Sequence, residues 1–182
     1  MDGMPVPTNI MIPAWIDGLL TPVEKLAVHQ RGLRHLAVSV FVLRAGEILI
    51  QQRALGKYHT PGLWANTCCT HPAWGEDADQ CAIRRVDEEL GITGLKLHHR
   101  GQLEYRAEVG GGLIEHEVVE VFIAEAPEDM LLTPNPDEVM HVRWINPEAL
   151  AQEIAETPEN FTPWLRIYLA EYHHMILGTA AE

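Results

Sequence analysis

Between residues 69 and 92 the chain concentrates groups suited to holding a metal and an anion: Cys69, His71, Glu76, Arg84, Arg85, Glu88 and Glu89, closed by Gly91 and Ile92. On a helix turning about 100° per residue, Ala82, Val86 and Leu90 form an inward stripe and Glu89 lies at its margin, facing in. Read blandly, Arg85 and Glu89 are a surface pair at i,i+4, worth only about 0.2–0.5 kcal/mol and in the less favourable order. A carboxylate turned toward the core instead needs a cation to offset its desolvation.

Downstream, the run 113–122 alternates so that Glu115, Glu117, Val119 and Val121 share one face. Two carboxylates on a core face repel, so either the strand end is wet beside its glycine turn or something positive lies between them. Of ten histidines, His29, His35 and His71 lie upstream in three separate segments. Imidazole and carboxylate together suit a transition or zinc-class ion, whereas magnesium prefers oxygen alone, so three His and two Glu would suit manganese or zinc. No pair has the short helical spacing of a zinc motif, and the inference rests on the conjunction. In the segment 64–72 an extended chain puts Thr67, Cys69 and His71 on one side and Cys68 on the other. A neighbouring imidazole and metal could make the Cys69 thiol a base or nucleophile, while Cys68 and Cys81 read as small buried hydrophobes.

These groups need a scaffold. Residues 35–43 and 47–52 are β-branched, apolar runs separated by Arg44, Ala45 and Gly46, a hairpin pattern. Residues 78–90 place Ala78, Ala82, Ile83, Val86 and Leu90 at helical spacing, and Gly91 stops the helix. Long strands are predicted over 97–108 and 113–124 across Gly110–Gly112, and another over 139–145. Asn146-Pro147 and Thr162-Pro163 each pair an N-cap residue with proline at the first helical position, so two helices follow. Residues 126–138, with three prolines, read as a surface loop. The fold class expected is an α/β sandwich with a mixed sheet.

At 182 residues with 47% hydrophobic content, one domain spanning 1–182 is expected, with residues 1–24 as an extension packed on it. A net charge of -13 argues against nucleic acid or an anionic membrane as partner. The basic residues are nonetheless clustered: six of thirteen precede residue 58, including Lys25, Arg53 and Lys57, so a small anionic substrate fits. Pro13, Asp17 and Gly18 interrupt the apolar stretch 10–20, which suits neither a signal peptide nor a membrane span. Three cysteines, two of them adjacent, make a poor disulfide framework, and a cytoplasmic protein, monomeric or weakly dimeric, is expected.

Glu76, Arg84, Val86, Glu88, Glu89, Gly91 and Ile92 fix the frame of a Nudix box, in which Thr70 takes the usual glycine slot and Arg85 replaces the first helical glutamate. Such a helix keeps the frame that holds a diphosphate but loses one carboxylate of the cluster that hydrolyses it; a Nudix-type diphosphate hydrolase is the alternative reading. Over residues 25–164 the chain resembles the bacterial, Nudix-like type I isopentenyl diphosphate isomerases. The segments that carry the resemblance include Glu-Lys-Leu-Ala-Val-His at 24–29, Pro-Gly-Leu-Trp-Ala-Asn-Thr-Cys-Cys-Thr-His-Pro at 61–72, Ile-Glu-His-Glu-Val at 114–118 and Phe-Thr-Pro-Trp at 161–164.

That resemblance implies a Nudix-like α/β/α sandwich and the interconversion of isopentenyl and dimethylallyl diphosphate, a 1,3 proton shift through a tertiary carbocation. By motif position it implies Cys69 and Glu117 as the opposed acid/base groups, Tyr105 bonded to the carboxyl, and Trp164 facing the cation. It implies manganese or zinc on His29, His35, His71, Glu115 and Glu117, magnesium on Glu89, and a diphosphate clamp of Lys25, Arg53, Lys57 and Arg85. Two departures stand: Thr70 replaces the family's usual glycine, and His29 and His35 are one residue closer than its usual spacing.

Overall fold

The computed structural model describes residues 10–178. Strands β1 (Met11–Ile16) and β2 (Leu19–Glu24) form an antiparallel hairpin turned at Asp17 and Gly18, both at positive φ. Helix α1 (Lys25–Arg31) follows at once: the Glu24 carboxylate accepts from the backbone N–H groups of Leu26 and Ala27, and Gly32 closes the helix in the left-handed conformation. Strands β3 (Arg34–Arg44) and β4 (Glu47–Arg53) form the expected hairpin, with Ala45 and Gly46 at φ 48° and 81° in the turn.

Next come two short strands, β5 (Trp64–Ala65) and β6 (Cys68–Thr70), and helix α2 (Ala78–Leu90). The long pair β7 (His98–Gly110) and β8 (Leu113–Glu125) is followed by β9 (Val139–Ile145). Helices α3 (Pro147–Glu156) and α4 (Pro163–Glu171) are capped by the side chains of Asn146 and Thr162, with proline in the first turn of each, and α5 (His173–Leu177) ends the described chain. Residues 126–138 carry neither helix nor strand.

All nine strands belong to one sheet, mixed because β8 runs parallel to β3 while the other pairings are antiparallel. Strand β3 is the hub, pairing with β1, β4, β6 and β8. Its pleat divides the core. Ala37 and Phe41 face Val119 and Val121 together with Leu150, Trp164, Leu165 and Tyr168 of α3 and α4. Val38, Val40 and Val42 face Cys81, Ala82, Val86 and Leu90 of α2. Helices therefore cover both sides of the sheet, the expected α/β/α sandwich.

Helix α2 has the expected bounds, and Gly91 ends it at φ 66°. Ile83 departs from the expected apolar spacing: it is 58% exposed, because it follows Ala82 by one residue and is rotated about 100° off the buried stripe. The hairpin β1–β2 packs through Ile12, Ala14 and Val23 onto Val28 of α1, so 10–24 of the expected extension lie on the sheet, while its first nine residues fall outside the described region. Among the described residues no helix is long and apolar enough to cross a membrane.

Candidate active site

Strand register builds the first part of the site. Parallel pairing of β3 and β8 sets His35 beside Glu117, and antiparallel pairing of β7 and β8 sets Tyr105 on its other flank. Glu115 and Glu117 are 2% and 1% exposed, which excludes a wet strand end. Around them converge His29 from α1, His35 from the start of β3 and His71 just past β6. His29 Nε2 lies 3.0 Å from Glu115 Oε1, and His35 Nε2 lies 3.1 Å from Glu115 Oε2 and 3.5 Å from Glu117 Oε2. His71 Nε2 lies 3.6 Å from Glu115 Oε2 and 2.8 Å from Glu117 Oε2.

The donor set fits a divalent metal. One ligand atom from each of His29, His35, His71 and Glu115 lies within 4.8 Å of all the others. His29 Nδ1 donates to the Lys25 carbonyl at 2.6 Å and His35 Nδ1 to the Leu33 carbonyl at 2.7 Å, which turns Nε2 of both rings toward the centre. His71 Nε2 and Glu117 Oε2 are buried and, despite their closeness, make no hydrogen bond of acceptable geometry. Lone pairs that face a common point rather than one another are what a cation resolves.

Charge within the cluster follows the same contacts. Burial pushes the Glu115 carboxyl up, but the four histidines around it, His29, His35, His59 and His71, outweigh it and hold the group well below the usual carboxylate range. For Glu117, burial and the charge of Glu115 are likewise outweighed by His35 and His71, and its carboxyl is lowered. Burial opposes a charge on His35, yet hydrogen bonds to both glutamates raise it to about 10.

The anion side is a small cleft whose wall includes Lys25, Arg53, Lys57 and Arg85 beside Cys69, Thr70, His71, Glu89, Glu115 and Trp164. Four of the thirteen basic side chains thus meet in one cleft, the focusing that their clustering in the sequence suggested. Burial, with Lys57 and Arg85 nearby, pulls the Lys25 ammonium down to about 8. Arg85 Nη2 binds Glu89 Oε1 at 2.9 Å, Nη1 binds Glu88 at 2.7 Å, and Nε donates to Thr70 Oγ1 at 3.2 Å. The pair with Glu89 exists, but it is not a surface pair: the Glu89 side chain is 5% exposed and accepts a further bond from Gln51 Nε2 at 3.2 Å.

Thr70 is thereby accounted for, since the hydroxyl in the glycine slot holds the arginine in the glutamate slot. Glu76, Arg84 and Glu88 lock one another, with Arg84 Nε 2.6 Å from Glu76 Oε1 and Nη1 3.0 Å from Glu88 Oε2, so they brace the helix outside the cleft wall.

Cys69 lies on β6 opposite Ser39 of β3 and points to the sheet face that carries Phe41 and Trp164, whereas Cys68 is buried on the α2 face. Burial and the charge of Glu117 raise the Cys69 thiol well above its ordinary value, so without a metal it is the protonated form. Tyr105 donates its hydroxyl to Glu117 Oε1, and burial followed by that carboxylate's charge raises the phenol. Glu117 and Tyr105 stand one layer behind the cleft lining. Trp164 is 2% exposed, with the Arg53 guanidinium 5.3 Å from its ring centre.

Four contributors were not singled out from sequence. Glu138 pairs with Lys57 and lies 3.5 Å from Arg85. The Tyr168 hydroxyl is 2.9 Å from Ser39 Oγ and 3.8 Å from Cys69 Sγ. Tyr58 packs edge-on against His29, and His59 Nε2 lies 2.8 Å from Glu115 Oε1. The Asp-Glu-Val-Met run at 137–140 was the available signal for Glu138; for the others no spacing distinguishes them from ordinary core or loop residues.

Known proteins resemble the chain in sequence and in fold. A family model described as NUDIX domain matches residues 33–165. A protein of Cereibacter sphaeroides is 64% identical over 92% of this chain and 95% of its own length, and one of Rhodobacter capsulatus is 64% identical over 91% and 94%; both are named isopentenyl-diphosphate Delta-isomerase. The chain belongs to the isopentenyl-diphosphate Delta-isomerase family. Solved structures of lower identity share the fold of this isomerase family member. A Deinococcus radiodurans protein is 16% identical with a TM-score of 0.71 over 88% of this chain and 97% of its own. A MutT NUDIX hydrolase from Burkholderia pseudomallei is 22% identical with a TM-score of 0.59 over 76% and 97%.

Proposed function

We infer that the protein isomerises isopentenyl diphosphate to dimethylallyl diphosphate by adding a proton at the terminal methylene C4 and removing one from C2. The observation that carries the reading is the meeting, in one cleft, of four basic side chains with a thiol and a His/Glu cluster, in a chain whose Nudix helix has arginine in a glutamate slot. A hydrolase would need that carboxylate and has no use for the half-buried thiol.

In this reading Lys25, Arg53, Lys57 and Arg85 grip the diphosphate, and Glu89 would hold magnesium, which would supply charge to offset that of the diphosphate. His29, His35, His71, Glu115 and Glu117 hold manganese or zinc, which would supply positive charge to tune the acidity of the Glu117 carboxyl. An alkene is a weak base, so a proton must be delivered in a water-poor site from a well-placed acid. Cys69 and Glu117 are that acid/base pair, working from opposite faces of the C5 unit. The Tyr105 hydroxyl orients Glu117 and supports whichever charge state the proton transfer leaves. Trp164 offers an indole face to the tertiary cation, an attraction worth about 2 kcal/mol or more once water is excluded. The chain is proposed to act as one unit over 1–182, in the cytoplasm, as a monomer or weak dimer.

The test is incubation with isopentenyl diphosphate and magnesium. Dimethylallyl diphosphate without phosphate release is expected; phosphate without isomer would overturn the reading.

A further inference from the structure

His59 is a histidine that neither the metal set nor the clamp uses. It is 5% exposed, and its ring is wedged between Tyr58, 4.3 Å between ring centres, and Trp164, 5.7 Å and edge-on. Its Nε2 lies 2.8 Å from Glu115 Oε1, the oxygen that His29 also approaches. Its Nδ1 lies 2.9 Å from Thr60 Oγ1.

The partner of Nδ1 separates His59 from the ligand histidines. In His29 and His35, Nδ1 faces a backbone carbonyl, which only accepts, so Nδ1 carries a proton and Nε2 is the atom each ring can offer to a metal. In His59, Nε2 faces a carboxylate oxygen, which only accepts, while Nδ1 faces a hydroxyl able to donate to it, so the Nε2–H tautomer satisfies both contacts. His59 also stands outside the group whose ligand atoms share one centre.

The backbone is bent to hold this arrangement. Thr60 is buried at φ +47°, a left-handed conformation rare for a β-branched residue, and the His59 carbonyl accepts from Arg53 Nη2 at 3.2 Å. Strain kept beside a buried imidazole, with the hydroxyl of the strained residue serving as the partner of its Nδ1, is a second observation that the segment is set for His59.

We propose that His59 is a positioning residue that donates its Nε2–H to Glu115, fixing that carboxylate's orientation for metal binding while its ring edge holds Trp164 over the cleft. It rests on the reading of Glu115 as a ligand, and the donor, not the imidazole as such, is what matters.

The experiment compares His59→Phe, which keeps a ring and loses the donor, with His59→Gln, whose amide N–H can reach the same carboxylate. Metal affinity is read by competition with a chelator, on purified protein with manganese or zinc alone, alongside circular dichroism to establish folding. Outer contacts of this kind change metal affinity by roughly 10–100-fold. His59→Phe is expected to bind metal in that range more weakly, and His59→Gln within about threefold of the parent. A folded His59→Phe protein with parental affinity would overturn the proposal. So would His59→Gln as weak as His59→Phe, since that would make the imidazole itself a ligand. Isomerase turnover of the unsubstituted protein is measured separately, so a failure of the activity reading is not confused with a failure of this one.

Discussion

Replacing Arg85 with Met distinguishes a buried clamp from a decorative surface pair. The Arg85 side chain is 18% exposed and bonds Glu89, which is 5% exposed, at 2.9 Å. Removing it leaves Glu89 buried with Gln51 Nε2 at 3.2 Å as its remaining side-chain partner. Breaking a buried pair from one side costs about 3–5 kcal/mol. Because the guanidinium is partly solvated, the lower end, about 3 kcal/mol, applies. With a urea slope of about 2 kcal/mol/M, the unfolding midpoint should fall by roughly 1.5 M. A surface pair of about 0.5 kcal/mol would move it by only about 0.25 M. Magnesium supplies the sharper signature, because Glu89 relieved of Arg85 meets the cation without competition from the guanidinium, so magnesium should stabilise the variant more than the parent. At 100 times its dissociation constant magnesium returns about 2.7 kcal/mol. Equilibrium unfolding with and without magnesium, together with KM for isopentenyl diphosphate, measures both. A midpoint shift under about 0.3 M with unchanged KM would refute the buried clamp.

Cys69→Ala and Glu117→Gln should each lower kcat by at least the 10²–10⁴-fold typical of a lost acid or base while KM changes little, and steady-state kinetics with a folding control decides it. For Lys25, whose ammonium is lowered from 10.5 to about 8, the charge is present below that pH and lost above it, so inorganic pyrophosphate should bind more weakly as pH rises past 8. Calorimetric titration with Lys25→Met, which should remove this pH dependence, is the check. Stability runs the other way: between about 8 and 10.5 the unfolded chain binds the extra proton, so burial of Lys25 becomes less costly as pH rises. Gly91→Ala should destabilise the fold by about 1–3 kcal/mol in urea, because the residue sits at positive φ; the new Cβ would also lie 2.8 Å from Thr133 Cβ.

Much of the scaffold was legible because its signals are local. Helix α2 announced itself by the stripe Ala82, Val86 and Leu90 and by Gly91, and α3 and α4 by Asn146-Pro147 and Thr162-Pro163. Alternation in β8 put Glu115 and Glu117 on one face correctly, but burial had to be seen to reject a wet strand end. Strands β5 and β6, of two and three residues, and the helices α1 and α5, of seven and five, are too short for a periodic pattern. The convergence of His29, His35 and His71 depends on long-range register between β3, β6 and β8, which spacing along the chain does not encode. His59 stayed invisible because its position depends on the left-handed backbone of Thr60, and Thr70 stood out in the sequence but its role did not, because its partner Arg85 lies fifteen residues away.

Protonation at C4 is coupled to deprotonation at C2 in this mechanism, and reaction in deuterium oxide followed by proton and deuterium NMR reads both. Deuterium entering the new methyl group of dimethylallyl diphosphate, with C2 of recovered isopentenyl diphosphate labelled by the reverse reaction and no free phosphate, is the predicted result. Isomer formed without deuterium, or phosphate appearing in its place, would contradict the account.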